Sequence, residues 1–240
     1  MKPDNDLRFL KDCRNEDLKV LCDILTHDGN GDLRLTEQLT NTDDYLLYYP
    51  LQLGMMADTI AGELRKYGSN TVKTFVSQGE PDTYEVILQR VCRKMNVYTE
   101  EQASVPEVER SLLTTVCEQT TRKLTEGELR DLADDLGIQH KRVSRQVLVG
   151  VLMTAIRSNV RIFARLSYYV ATRVATMLLG RSIMSLGIGN IGRMLGIASG
   201  PAGWAALTAW TISDIASPAY RVCVPAVIQV AAMRMSQTNQ

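Results

Sequence analysis

Apolar positions recur at helical spacing almost from the first residue. Leu7, Phe9, Leu10, Leu18, Leu21, Cys22, Ile24 and Leu25 alternate with Asp, Glu, Lys and Arg, which predicts two short helices. A loop rich in Gly, Asn and Asp follows from Thr26 to Asp32, and the aromatic cluster Tyr45, Tyr48, Tyr49 precedes Pro50. The pattern then predicts a helix over Leu51 to Tyr67, stopped at Gly68-Ser69-Asn70, and a short one over Thr71 to Ser77. Asp82 with Glu85 has capping-box spacing and predicts a helix from Tyr84 to Met95. Ser104 with Glu107 repeats the signal before Val108 to Lys123, and Thr125 caps Glu126 to Leu136 ahead of Gly137.

Beyond Gly137 to Arg145 the chain becomes longer-phased and apolar. Gln146 to Leu179 reads as helix, either unbroken or bent near Ser158-Asn159. Arg181 to Ala198 and Ala202 to Ile215 form two further apolar elements around a Gly200-Pro201 turn. Pro218 and Pro225 bracket a tight link into a last helix, Ala226 to Met235. Strand signals are weak throughout, so the expected fold is all-α. It divides into an acidic helical portion over 1–136 and a basic, apolar helical portion over 143–240.

Charge sharpens that division. Between Gly137 and Gln240 the only acid is Asp214, against eleven Lys and Arg residues. The formal net charge of +0 hides a front of about −10 and a back of about +10. Arginines without local carboxylates must meet the acidic front, an anionic partner or water. The hydrophobic fraction of 45% across 240 residues is ample for a core. Five scattered cysteines without a CxxC pair favour a reducing cytosolic compartment over a disulfide scaffold. The polar start, Met1 to Asp6, does not read as a signal peptide.

Candidate chemistry is sparse. Gly187 to Gly192 matches GxGxxG, but no strand precedes it and no βαβ pattern surrounds it, so no dinucleotide is expected. Asp28, Asn30 and Asp32 fit the first positions of a calcium loop. Leu33 stands where the turn glycine belongs and Leu39 where the bidentate carboxylate belongs, so a helix-capping turn is the expectation. His27 and His140 lie far apart, which argues against a zinc cluster. Asp214 is expected to form a structural ion pair with Arg221 or Arg193, and no catalytic constellation surrounds it. No cofactor and no metal are expected.

Contact-making features are better marked. Arg157, Arg161 and Arg165 lie four residues apart, so they share one helix face as a positive ridge, with Lys141, Arg142 and Arg145 as an extension. Such a ridge suits acidic lipid or an acidic protein segment, or is a solvated face. Nucleic acid is disfavoured by the zero net charge and by the lack of a stacking module. Gly192, Gly196 and Gly200 form a smooth stripe for close helix packing. Met194 to Ser213 is uncharged over a transmembrane length, but holds three Gly, Pro201, two Thr and two Ser. Spanning, burial in a water-soluble core, and insertion on meeting a surface all remain open for it.

The run Ser217-Pro218-Ala219-Tyr220-Arg221-Val222-Cys223-Val224-Pro225-Ala226-Val227-Ile228-Gln229-Val230-Ala231 resembles the C-terminal signature of the YaaW-like family of uncharacterised bacterial proteins. Gly200-Pro201-Ala202-Gly203-Trp204-Ala205, Gly62-Glu63-Leu64-Arg65, Gly68-Ser69-Asn70 and Asp6-Leu7-Arg8-Phe9-Leu10 fit the same pattern. Cys223 departs from it, since related sequences tend to have Thr there. The resemblance implies helical architecture and a distant grouping with ubiquinol–cytochrome c chaperones, and it supplies no catalytic residue. The expectation is a non-enzymatic interaction protein, an assembly factor or chaperone, that contacts an anionic membrane surface or a hydrophobic protein partner. It would be cytoplasmic and peripheral at the inner membrane. The alternative is a membrane-perturbing effector of bacterial conflict or defence, with Met177 to Ile215 as an inserting hairpin; an enzyme with an unrecognised site stands third.

Overall fold

The computed structural model describes residues 2–69, 80–139, 143–179 and 218–237. Their regular structure is helical, with one isolated bridge, His27 to Leu33, and no strand among the described residues. The α-helices are α1 (Asn15–Thr26), α2 (Asp43–Tyr48), α3 (Ala57–Gly68), α4 (Tyr84–Lys94), α5 (Val105–Lys123), α6 (Glu126–Asp135), α7 (Arg145–Ser158), α8 (Val160–Leu179) and α9 (Pro218–Gln237). Three 3-10 turns, Asn5–Asp12, Leu39–Asn41 and Leu53–Met56, complete the framework.

Most starts follow the cap chemistry in the sequence. The Ser104 amide donates to Glu107 Oε2 at 2.7 Å, and the Thr125 amide donates to Glu128 Oε2 at 2.8 Å. Each spends a side chain on a donor that a helix N-terminus leaves orphaned. Helix α6 ends ahead of Gly137, whose φ of +71° is open to glycine at little cost. The starts of α3 and α4 differ from expectation. Residues 51–56 form a turn and a 3-10 helix before α3 begins at Ala57. Helix α4 is not capped by Asp82, whose carboxylate instead pairs with Arg90 at 2.6 Å. The Tyr84 amide is taken by Asp4 Oδ2 at 2.7 Å, from eighty positions away.

Helix α9 is the axle. Every residue from Val222 to Met233 is buried, polar Gln229 included, so this helix is wrapped on all sides. It packs against α8, α1, α5, α3 and α4, and buried residues of the acidic and basic portions form one core cluster from Leu7 to Met233. The expected link between Pro218 and Pro225 is absent: one helix runs through both prolines. Pro218 occupies a first-turn position where its missing N–H costs nothing. Pro225 removes one internal hydrogen bond, a cost that enclosure by five helices outweighs.

Buried polar groups stitch the ends of the chain together. Arg65 donates to the carbonyls of Lys2 (2.7 Å), Pro81 (2.8 Å) and Asp82 (2.9 Å). Asp17 accepts from Arg14 Nε at 2.9 Å and from the Tyr168 hydroxyl at 2.9 Å, joining α1 to α8. Glu109, on α5, accepts from the Tyr84 hydroxyl at 2.7 Å and from Arg234 Nε at 2.6 Å, joining α4, α5 and α9. The Arg234 guanidinium also lies 4.0 Å from the Phe9 ring centre and donates to the Asp6 carbonyl.

Candidate interaction surface

The α7–α8 elbow positions the ridge arginines. Asn159 ends one helix and starts the next: its amide donates to the Ala155 carbonyl at 2.9 Å, and its Oδ1 accepts from the Ile162 amide at 3.1 Å. The two helices meet there at 107°. The four-residue spacing of Arg157, Arg161 and Arg165 therefore runs across a corner, and the three do not share one helix face. Arg157 sits in the last turn of α7, whereas Arg161 and Arg165 lie on one exposed face of α8.

The acidic front meets part of this charge. Arg157 Nη2 is 2.8 Å from Glu118 Oε1 on α5, and Arg165 donates to the Asp135 carbonyl at the end of α6. Arg145 donates to the carbonyls of Arg122 (2.9 Å) and Leu124 (3.0 Å). Arg161 is exposed. Neither α7 nor α8 contains a carboxylate.

Helix α7 turns Leu148, Leu152 and Ile156 inward and leaves Val147, Gly150, Val151 and Thr154 on its exposed face. With Val160 at the elbow, this makes an apolar strip that ends in cations. A second apolar surface lies in the acidic portion. Leu46, Leu47, Leu51 and Met55 each expose 65–81% of their surface around α2 and the 3-10 turn after it. The missed signal is the unbroken apolar pair Leu46-Leu47 within a helix too short to turn both inward.

Several sequence-derived features lie outside the described residues: Gly192, Gly196 and Gly200, Asp214, the Gly187 to Gly192 motif, Met194 to Ser213, the expected helix over 71–77, and Lys141 and Arg142. Arg221, the expected partner of Asp214, is exposed in the first turn of α9.

The thiols are chemically quiet. Cys22, Cys92, Cys117 and Cys223 are buried, and burial raises every one of them; Cys92, Cys117 and Cys223 are pushed up to about 12. Half-buried Cys13 is likewise pushed up to about 12 by burial and then by Asp17. The Asp28 carboxylate accepts from the Asn30 amide (2.9 Å) and the Asp32 amide (3.1 Å). The Asn30 bond is the main cause that holds it below the usual carboxylate range. Among the described residues no group of three His, Cys, Asp or Glu side chains is placed to hold a metal ion.

The comparisons agree with the sequence resemblance. The family described as a domain of unknown function, DUF3944, matches residues 1–35, which span the first 3-10 turn, α1 and the His27–Leu33 turn. A UPF0174 protein of Helicobacter pylori strain J99 is 34% identical over 249 aligned positions, covering all of this chain and 95% of its own length. A second UPF0174 protein of that strain is 28% identical, with 83% and 97% of the two chains covered. The UPF0174 protein YaaW of Escherichia coli K12 is 27% identical, with 96% and 94% covered. No solved structure matches the chain significantly. The end-to-end similarity to a bacterial relative, with the C-terminal run that forms α9, makes this chain a member of the UPF0174 family.

Proposed function

We propose that this chain is a non-enzymatic interaction protein whose α7–α8 elbow rests on an anionic membrane surface, peripheral to the inner membrane. The carrying observation is the elbow itself, where exposed Val147 and Val151 precede Arg157 along α7 and exposed Val160 precedes Arg161 on α8, two helices without a carboxylate. Apolar side chains enter the acyl boundary while arginines reach headgroup phosphates. The Arg157–Glu118 pair does not oppose this, because a surface ion pair stabilises by only about 0–1 kcal/mol and exchanges readily for lipid phosphate. Docking is favoured over spanning. Among the described residues no single helix is long and apolar enough to cross a membrane. The bent pair α7 with Val160–Thr176 has the length and apolarity, but its inner residues Leu152, Ile156, Phe163, Leu166 and Val170 are sealed in the core. An assembly-factor role at that surface, as the resemblance suggests, fits a protein that holds position and does no chemistry.

Flotation with neutral and with anionic vesicles tests the reading. Binding should appear with anionic lipid, and Arg161→Glu with Arg165→Glu should weaken it at least about tenfold with helicity unchanged, from roughly 1 kcal/mol per cation near the surface. Equal absence from both vesicle types, or undiminished flotation of the double variant, refutes it. Release of trapped dye on binding would replace docking with the membrane-perturbing alternative.

A further inference from the structure

Two exposed surfaces among the described residues differ in the charge at their edges. The first holds Leu46, Leu47, Leu51 and Met55, on the order of 500 Å² of apolar area, the size of the largest patch on a typical monomer and one that often marks a contact. Asp43 and Asp58 are exposed along its α2–α3 side, and Asp44 bonds the Thr59 hydroxyl there. Its other side abuts residues 11–15: the Asn15 side chain bonds the Pro50 carbonyl and the Leu53 amide, each at 2.8 Å. Exposed charges on that side, Lys11, Asp12, Arg14 and Glu16, cancel, so the acids on the α2–α3 side set the sign. The second surface is the outer strip of α7, Val147, Gly150, Val151 and Thr154, which ends in Arg157, itself paired with Glu118; Arg161 lies past the elbow, on α8.

An acid-edged apolar patch and a cation-ended apolar strip are complementary in both respects. We infer that the α7 strip of one copy docks on the Leu46–Met55 patch of a second copy, head to tail. Asp43 and Asp58 meet Arg157 and Arg161 at the edge of the contact. Because the two faces differ, the contact is heterologous and each added copy presents a fresh patch and a fresh strip. This goes beyond the membrane reading and shares its surface, so a strip held by a second copy is closed to lipid; association is measured without lipid, which keeps failure of one apart from failure of the other.

Complementation of two face-specific variants tests the inference. Leu47→Asp with Leu51→Asp disables the patch, and Val147→Asp with Val151→Asp disables the strip. All four positions are solvent-exposed, and circular dichroism checks that helicity is kept. In analytical ultracentrifugation the unaltered chain should show masses that rise with concentration above 26.8 kDa, while each variant alone stays monomeric. Mixed one to one, the variants should form a species of about twice the monomer mass and no larger, since one intact patch meets one intact strip. Asp43→Lys with Asp58→Lys should weaken association of the otherwise unaltered chain at least tenfold at low salt. A monomeric unaltered chain, continued self-association of either variant, or a mixture that stays monomeric overturns the proposal.

Discussion

Replacing Arg234 with Met isolates one ion pair of the core. Glu109 is 2% exposed, and its carboxylate is answered by Arg234 Nε at 2.6 Å and the Tyr84 hydroxyl at 2.7 Å. At an effective dielectric of about 20, charges at that separation attract by roughly 6 kcal/mol, part of which offsets the cost of taking both from water. Removing the cation strands the anion, and the expected net loss in urea unfolding at pH 7 is about 3 kcal/mol. The sign of its pH dependence follows from linkage. Burial raises the pKa of Glu109 above 4.5, opposed mainly by Arg234, so without Arg234 the folded state holds its proton still more tightly. Stability from a carboxyl raised on folding is greatest at low pH and falls as pH rises from the unfolded value through the folded one. The penalty of Arg234→Met should therefore be smaller at pH 5 than at pH 7.5. Adding Glu109→Gln should recover most of the loss and flatten that difference, because the amide still accepts from Tyr84. A penalty below 1 kcal/mol, one independent of pH, or a double variant no better than the single would refute the reasoning.

Two further outcomes are expected. A Cβ at Gly68 would stand 2.5 Å from Ile87 Cδ1 and Cγ1 and 2.6 Å from Cγ2, so Gly68→Ala should destabilise by about 1–3 kcal/mol, and Ile87→Ala, which removes all three atoms, should cost less beside Gly68→Ala than alone in thermal melts. With thiols pushed up to about 12 from 9.0, alkylation of the folded chain by iodoacetamide at pH 8 should be at least a hundredfold slower than in urea, and ready labelling would contradict the burial described.

Local signals read well from sequence where the partner is local. The Ser104–Glu107 and Thr125–Glu128 boxes start α5 and α6 as their spacing requires, because both members of each box lie within one turn. The sequence leaves Gln146 to Leu179 either unbroken or bent near Ser158-Asn159, and a shared ridge over 157–165 requires the unbroken form: periodicity assumes a straight axis, and one capping asparagine removes that axis. Proline misled at α9, because a helix enclosed by five others tolerates a missing hydrogen bond that an exposed one would not. The buried acids were illegible for a different reason. Asp17 meets Tyr168 and Glu109 meets Arg234, separations of 151 and 125 positions that no local pattern encodes. Sorting of charge along the chain did foreshadow Arg157 with Glu118 and Arg234 with Glu109, since acids in front and cations behind can pair only over long distances in sequence.

Placing the axle at residues 218–237 puts a delay into biosynthesis. The helices that enclose it, α1, α3, α4, α5 and α8, leave the ribosome with their oily sides open. At about 5–20 residues per second, roughly 10–40 s separate completion of α1 from arrival of α9. Throughout that interval the nascent polypeptide lacks the helix its described core is built around, which makes it a client for holding factors.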